Sequence, residues 1–120
     1  MPVLENMRPS SVLGFFEELA AIPHGSGNTR QISDYCAAFA QKRGLEYWQD
    51  EANNVVIVKP ATSGYEAAPA VILQGHLDMV CEKTPDCTID MEREGLHLQT
   101  DGEYVWAENT TLGADNGIAV

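Results

Sequence analysis

Hydrophobic residues recur at helical spacing in two segments near the start of the chain. Over residues 11–21 they lie three and four positions apart, which predicts an amphipathic helix that ends before Pro23. A second pattern of the same kind follows Asn28, a candidate N-cap, and Gly44 supplies a stop signal after it. We therefore predict two helices joined by a short connecting loop at residues 24–27.

The pattern then changes to that of β-strands. Residues 45–49 and 55–58 are candidate strands on either side of an Asn-Asn turn, and residues 71–73 form a continuous apolar run. Such a run is typical of a strand that is buried on both faces, which requires helices over the sheet. Residues 97–106 contain an Asp-Gly pair between two alternating segments, a strong signal for a hairpin. The pattern predicts the α/β class, with a central mixed sheet flanked by helices.

The last predicted element is a helix that starts near the C-terminal end of the chain. Residues 110–120 form a loop that leads into an apolar helix start, with no stop signal after it. A helix of one turn cannot hold by itself, so we interpret the chain as a truncated portion of one domain.

Charge and cysteine content narrow the classes of partner. The formal net charge of −11 over 120 residues repels phosphate backbones and anionic lipid, so we expect neither a nucleic-acid nor a membrane partner. The chain has no apolar run of membrane-spanning length and no signal-peptide pattern. Three cysteines, Cys36, Cys81 and Cys87, are an odd number, which favours a reducing, cytoplasmic location over a disulfide framework.

Two short motifs contain residues that could bind a metal. His76 and Asp78 follow the apolar run at 71–73, where α/β sheets place their ligands, and positions i and i+2 of a strand point the same way. Asp115 lies between two nearby glycines ahead of the last helix start. Taken singly, a hydrogen-bonded strand-end histidine and a plain N-cap carboxylate explain these residues more simply.

Three segments taken in order, however, match one family. They read IPHGSGN at 22–28, QGHLDMV at 74–80 and TLGADNGIA at 111–119. In this order and spacing the chain resembles the co-catalytic zinc peptidases of the aminoacylase and carboxypeptidase type, and most of all the aminoacyl-histidine dipeptidases. The resemblance implies that residues 1–120 are the N-terminal portion of one metallopeptidase catalytic domain.

The resemblance implies a role for each candidate residue. His76 would bind one of two divalent metal ions, Asp78 would act at the catalytic centre by orienting His76, and Asp115 would bridge both ions. It also implies a cis peptide bond between Asp115 and Asn116. The ions would be zinc, with manganese or cobalt as alternatives, and would activate a water to hydrolyse a small peptide, such as an Xaa-His dipeptide.

The resemblance also implies that part of the machinery lies elsewhere. The family's general base belongs to a Glu-Glu pair some tens of residues after the bridging aspartate, and the remaining ligands follow it, all beyond Val120. We therefore expect the isolated chain to be inactive and to bind metal weakly at most. An incomplete sheet would leave an unpaired edge, so we also expect a homo-oligomer.

Two alternatives stay open. The chain could be a non-catalytic binding or interaction module on the same fold, since 120 residues can form a core of their own. A thiol-dependent hydrolase could instead use Cys81 or Cys87. Outside the motifs, we interpret Trp48 and Trp106 as partly buried core residues.

Overall fold

Three helices and four short strands form in residues 2–120, the part of the chain that this computed structural model describes. None of these helices has the length and hydropathy needed to cross a membrane. The chain divides into two units, one of Met1–Ile32 and Gly75–Val120, the other of Ser33–Gln74. In chain order the elements are α1 Ser10–Ala20, α2 Arg30–Lys42, β1 Glu46–Gln49, β2 Val55–Val58, β3 Leu98–Thr100, β4 Val105–Ala107 and α3 Ala114–Gly117.

The core of the first unit forms on only part of the apolar face that the helical spacing predicts for α1, because Phe16 and Leu19 are buried whereas Val12 and Phe15 are 44% and 41% exposed. Phe16 and Ala20 of this helix are buried together with Leu4, Leu98 and Ala107. The last two residues belong to β3 and β4, so the hairpin packs against α1. Burial of a large apolar side chain such as that of Phe16 contributes about 1.5–3 kcal/mol.

The predicted hairpin is present, with its turn at the Asp-Gly pair. β3 and β4 pair antiparallel, and Gly102 has a φ of +96°, which a residue without a side chain adopts easily. The Asp101 carboxylate accepts the backbone N–H groups of Glu103 at 2.9 Å and Tyr104 at 2.8 Å. These contacts satisfy donors that a tight turn leaves outside the strand ladder.

The second unit contains most of α2 and the hairpin of β1 and β2. The two strands pair antiparallel, from Glu46 with Val58 to Gln49 with Val55. The Gln49 side-chain amide donates to the hydroxyl of Ser33 and to the carboxylate of Asp34, at 2.9 Å each, which ties β1 to α2. As predicted, a glycine with positive φ follows α2.

The helices and sheets give the predicted α/β class, but the sheet differs from the predicted one. Residues 71–73 are not a strand, and the side chains of Val71, Ile72 and Leu73 are 81%, 89% and 92% exposed. The described residues form two separate two-stranded antiparallel sheets, not one central mixed sheet. A strand needs a partner for its backbone groups, and residues 71–73 pair with no segment among residues 2–120.

The two tryptophans also differ from the expectation of partial burial. Trp48 on β1 is 55% exposed and Trp106 on β4 is 44% exposed. Each lies on the outer face of a two-stranded sheet. Since such a sheet buries only one face, an alternating pattern alone cannot tell which side faces the core.

Candidate metal centre

The loop that follows α1 pairs with the segment that follows His76. The Met79 backbone N–H donates to the carbonyl of His24 at 3.0 Å, and the Ser26 N–H donates to the carbonyl of Met79 at 3.1 Å. These bonds form a parallel bridge between Gly25 and Met79. The loop at residues 24–27 is therefore not the plain connector that the sequence suggested, because it fixes the backbone beside the site.

The start of α3 is joined to the same segment by one side chain. The Oδ1 atom of Asn116 accepts the backbone N–H of His76 at 2.9 Å. The peptide bond between Asp115 and Asn116 is cis, as the resemblance implies. Asp115 has φ −94° and ψ 101°, outside the helical range of its neighbours, and so lies at a kink within this short helix.

Two glycines allow these segments to approach closely. A Cβ atom on Gly75 would lie 2.7 Å from Oδ1 of Asn116, and one on Gly113 would lie 2.8 Å from Sδ of Met79. Gly113 also has a φ of +72°, in the left-handed region that favours glycine. Close packing at these two positions therefore explains why the motifs contain glycine there.

His76 contacts both of the predicted aspartates. Its Nε2 atom lies 3.2 Å from Oδ1 of Asp115, and its Nδ1 atom lies 3.1 Å from Oδ1 and 2.9 Å from the backbone oxygen of Asp78. The side chains of His76, Asp78 and Asp115 are 53%, 41% and 92% exposed. The structure thus brings together all three residues that the sequence singled out.

The contacts shift the pKa values of two of these groups. For His76, partial desolvation lowers the pKa, but the hydrogen bond to Asp115, the backbone oxygen of Asp78 and the two carboxylate charges outweigh it, so the pKa is raised. The pKa of Asp78 is lowered, chiefly because the hydroxyl of Ser26 donates to its carboxylate, and also because His76 lies beside it. Asp78 is therefore an ionised acceptor at neutral pH.

The arrangement fits part of a metal site. Both neighbours of Nδ1 in His76 are acceptors, so Nδ1 donates to Asp78, and the Asp115 oxygen beside Nε2 is an acceptor that favours a proton there as well. Loss of the Nε2 proton would leave a lone pair that a metal ion could use. Metal-binding histidines commonly donate their second nitrogen to a carboxylate in this way. Across residues 2–120, no group of three or more His, Cys, Asp or Glu side chains is placed to hold an ion. The fit is therefore that of an incomplete ligand set.

Cys81 and Cys36 do not have the environment of nucleophiles. The pKa of the Cys81 thiol is raised by desolvation and by the charges of Glu82 and Glu92, and burial raises the pKa of Cys36. A reactive thiol needs a lowered pKa to be a thiolate at neutral pH. The alternative of a hydrolase that uses Cys81 is therefore not supported.

Two contributors to the site were missed from the sequence. Ser26 donates to Oδ2 of Asp78 at 2.5 Å from 52 residues away, and Asn116 contacts the His76 backbone from 40 residues away. Both residues lie inside the motifs that carried the resemblance. Their positions in those motifs were the available signal, but the spacing could not say which partner each would take.

Comparisons with known proteins find similarity to peptidases. No protein-family profile matches the chain. Over all 120 residues, the chain is 38% identical to the cytosol non-specific dipeptidase of Escherichia coli (strain K12), and it spans 25% of that protein. The crystal structure of aminoacylhistidine dipeptidase from Vibrio alginolyticus matches 97% of the chain with a TM-score of 0.91 and 38% identity, over 24% of its own length.

These comparisons confirm the resemblance that the three motifs indicated. The chain is related to dipeptidases across its whole length, and its α/β fold is that of a segment of a solved aminoacylhistidine dipeptidase. It spans about a quarter of the length of the relatives it matches.

Proposed function

We propose that the chain is the N-terminal portion of the catalytic domain of a metal-dependent dipeptidase, in which His76 and Asp115 bind metal. The observation that carries this proposal is the 3.2 Å separation of Nε2 of His76 from Oδ1 of Asp115, with Asp78 on the other ring nitrogen. The two motifs, at residues 74–80 and 111–119, thus place these three side chains in contact. The similarity to two dipeptidases supports the reaction class.

Each residue has a distinct task in this proposal. When bound, two divalent ions would lower the pKa of a water molecule and polarise the scissile carbonyl. His76 supplies its Nε2 lone pair, and Asp78 holds the ring by accepting from Nδ1. The carboxylate of Asp115 is 92% exposed and has two oxygens, so it can serve as a bridging ligand.

The substrate and the cell compartment are proposed from the relatives. One relative is called a cytosolic non-specific dipeptidase, and the other an aminoacylhistidine dipeptidase. We propose a small peptide substrate, with Xaa-His dipeptides among those cleaved, and a cytosolic location. The imidazole and carboxylate ligands suit zinc, and also manganese or cobalt.

The remaining machinery is proposed to lie in a longer polypeptide. Two protein ligands do not make a tight site, and the general base is expected after residue 120. The relatives have about three quarters of their length outside the matched region. On this basis the isolated chain hydrolyses no dipeptide, and we also propose that it self-associates through apolar surface that the rest of the domain would cover.

The proposal is tested in the full-length protein that carries this chain. We expect dipeptide hydrolysis that a chelator abolishes and zinc, manganese or cobalt restores. Substitutions His76→Ala and Asp115→Ala should each lower kcat/KM by more than about 100-fold, beyond the range found for outer-shell residues. His97→Ala is the matched control, because His97 is exposed. Undiminished hydrolysis in either ligand variant, or activity insensitive to chelator, would contradict the proposal.

The alternative of a non-catalytic binding module is not favoured. Its support was the size of the chain, whereas the observed site brings an imidazole and two carboxylates together. The chain is also similar over its full length to proteins named as enzymes.

A further inference from the structure

Ser26 lies beside the site because its backbone is fixed there. Its N–H donates to the carbonyl of Met79 at 3.1 Å, while the Asn28 N–H closes a turn onto the carbonyl of Gly25 at 2.8 Å. A Cβ atom on Gly25 would lie 2.7 Å from Sγ of Cys81, so the loop is in close contact with the segment it pairs with. The position of Ser26 is therefore set by the fold and not by its own side chain.

The hydroxyl of Ser26 binds the oxygen of Asp78 that His76 does not use. It lies 2.5 Å from Oδ2 of Asp78, whereas Nδ1 of His76 lies 3.1 Å from Oδ1. The hydroxyl oxygen is also 3.5 Å from the carbonyl oxygen of Met79, a much longer contact. The carboxylate is thus held from both sides.

This two-sided contact restricts the carboxylate in a way that one contact cannot. The torsion that turns a carboxylate about its Cβ–Cγ bond is broad, so one hydrogen bond leaves the plane free to swing. With both oxygens engaged, the plane is fixed, and so is the direction in which Oδ1 meets the imidazole. The same imidazole has its Nε2 atom 3.2 Å from Asp115.

We propose that Ser26 is a positioning residue of the metal centre, which holds the Asp78 carboxylate in the orientation that aims Nε2 of His76 at the metal. The inference rests on the proposed function, because it assigns Ser26 a role through the proposed ligand. Ser26 does not touch substrate or metal in this scheme. The loop that carries Ser26 connects the end of α1 to the segment that contains His76 and Asp78.

The test measures metal binding directly. Full-length apoprotein that carries this chain is titrated with Co²⁺, whose visible absorption reports both affinity and ligand geometry without turnover. We compare Ser26→Ala, which removes the hydroxyl, with Ser26→Thr, which keeps it; Ser26 is exposed, so the extra methyl group has room. Ser63→Ala makes the same chemical change in an exposed loop of the other unit and serves as the control.

We expect Ser26→Ala to weaken Co²⁺ binding about tenfold, the low end of the range for outer-shell partners, and to alter the absorption spectrum. Ser26→Thr and Ser63→Ala should bind Co²⁺ as the unmodified protein does. A hydroxyl needed only for folding would lower the thermal stability of the apoprotein in Ser26→Ala without changing Co²⁺ affinity or spectrum, and that result would overturn the inference.

A fourth variant separates failure of this inference from failure of the proposed function. If His76→Ala loses Co²⁺ binding while Ser26→Ala keeps it unchanged, the metal centre stands and Ser26 has no positioning role. If His76→Ala itself binds Co²⁺ normally, the proposed function fails, and the inference fails with it.

Discussion

At the scale of single residues, the site is a chain of contacts that runs through one carboxylate. Asp78 joins His76 to Ser26, and His76 in turn reaches Asp115. Each of these contacts joins polar groups on a partly exposed surface. Such contacts add little to the stability of the fold, so their main effect is to orient the side chains. This is why the predicted consequences of changing these residues concern metal affinity and turnover.

The carboxylate of Asp101 stabilises the turn between β3 and β4, and this stabilisation depends on pH. The pKa of Asp101 is lowered because the backbone N–H groups of Tyr104 and Glu103 donate to its ionised form. A folded-state pKa below the unfolded value of about 3.9 adds stability that is present above that pH and lost as the pH falls through the folded pKa. The hairpin turn is therefore expected to loosen in acid.

Hydrogen exchange at the Tyr104 amide measures this loosening. Protection should be greater at about pH 6 than at about pH 2.5 after correction for intrinsic rates. Asp101→Asn keeps an acceptor oxygen but removes the titration, so its protection should change much less with pH. Glu103→Gln removes a carboxylate from the same turn and should behave as the unmodified protein. Equal pH dependence in all three proteins would contradict the assignment.

Three residues of the candidate site were predictable from the sequence, but the residues that contact them were not. His76, Asp78 and Asp115 followed from two motifs that carry a resemblance to a known family. Ser26 did not follow, because a hydrogen bond between residues 52 positions apart depends on the path of the backbone between them. Sequence patterns report local conformation, and the parallel bridge at Gly25 and Met79 is a product of the tertiary fold.

At the scale of elements, the predictions that succeeded rest on local signals. α1, α2 and the β3–β4 hairpin form where spacing, a terminal glycine and an Asp-Gly turn indicate. The failed strand at residues 71–73 has an equally clear apolar pattern, but a strand exists only with a partner. Its three side chains are the most exposed large hydrophobic residues in the described part of the chain.

A close approach between two segments of the first unit gives a test of the packing. A Cβ atom on Gly95 would lie 2.4 Å from the backbone oxygen of Ala21, and the next residue, Leu96, donates to the carbonyl of Ala20 at 2.8 Å. Since a backbone atom cannot move aside easily, Gly95→Ala should destabilise the fold by about 1–3 kcal/mol. Urea unfolding measures this change.

A glycine-to-alanine substitution in α1 should change the free energy of unfolding in the opposite direction. Gly14 has nothing within 4 Å of its would-be Cβ atom. Because alanine loses less backbone entropy in a helix, Gly14→Ala should stabilise by about 0.5–1 kcal/mol. If both variants shift stability in the same direction, the close contact between Gly95 and the end of α1 does not control stability in this way.

At the scale of the whole molecule, apolar exposure and charge oppose each other. Residues 71–73 present three large apolar side chains to solvent, which favours association. The net charge of −11 opposes it by repulsion between copies. Since salt screens the repulsion and leaves hydrophobic contact in place, association of the isolated chain should increase with salt concentration.

Light scattering of the isolated chain tests this balance. We expect the mean mass to rise with concentration and with added salt, and Ile72→Ser to reduce the rise without changing the net charge. Tyr65→Ser is the control, because Tyr65 is another exposed apolar residue, at 67%, outside the run. A monomer at all salt concentrations would contradict the proposed self-association.

The proposed function depends above all on His76 and Asp115 binding the same pair of metal ions. The metal content of the full-length protein tests this, measured by elemental analysis after equilibration with Zn²⁺ at limiting free concentration. We predict two ions per chain in the unmodified protein, loss of bound zinc in both His76→Ala and Asp115→Ala, and full occupancy in His97→Ala. Full zinc occupancy in both ligand variants would show that these two side chains do not bind the metal.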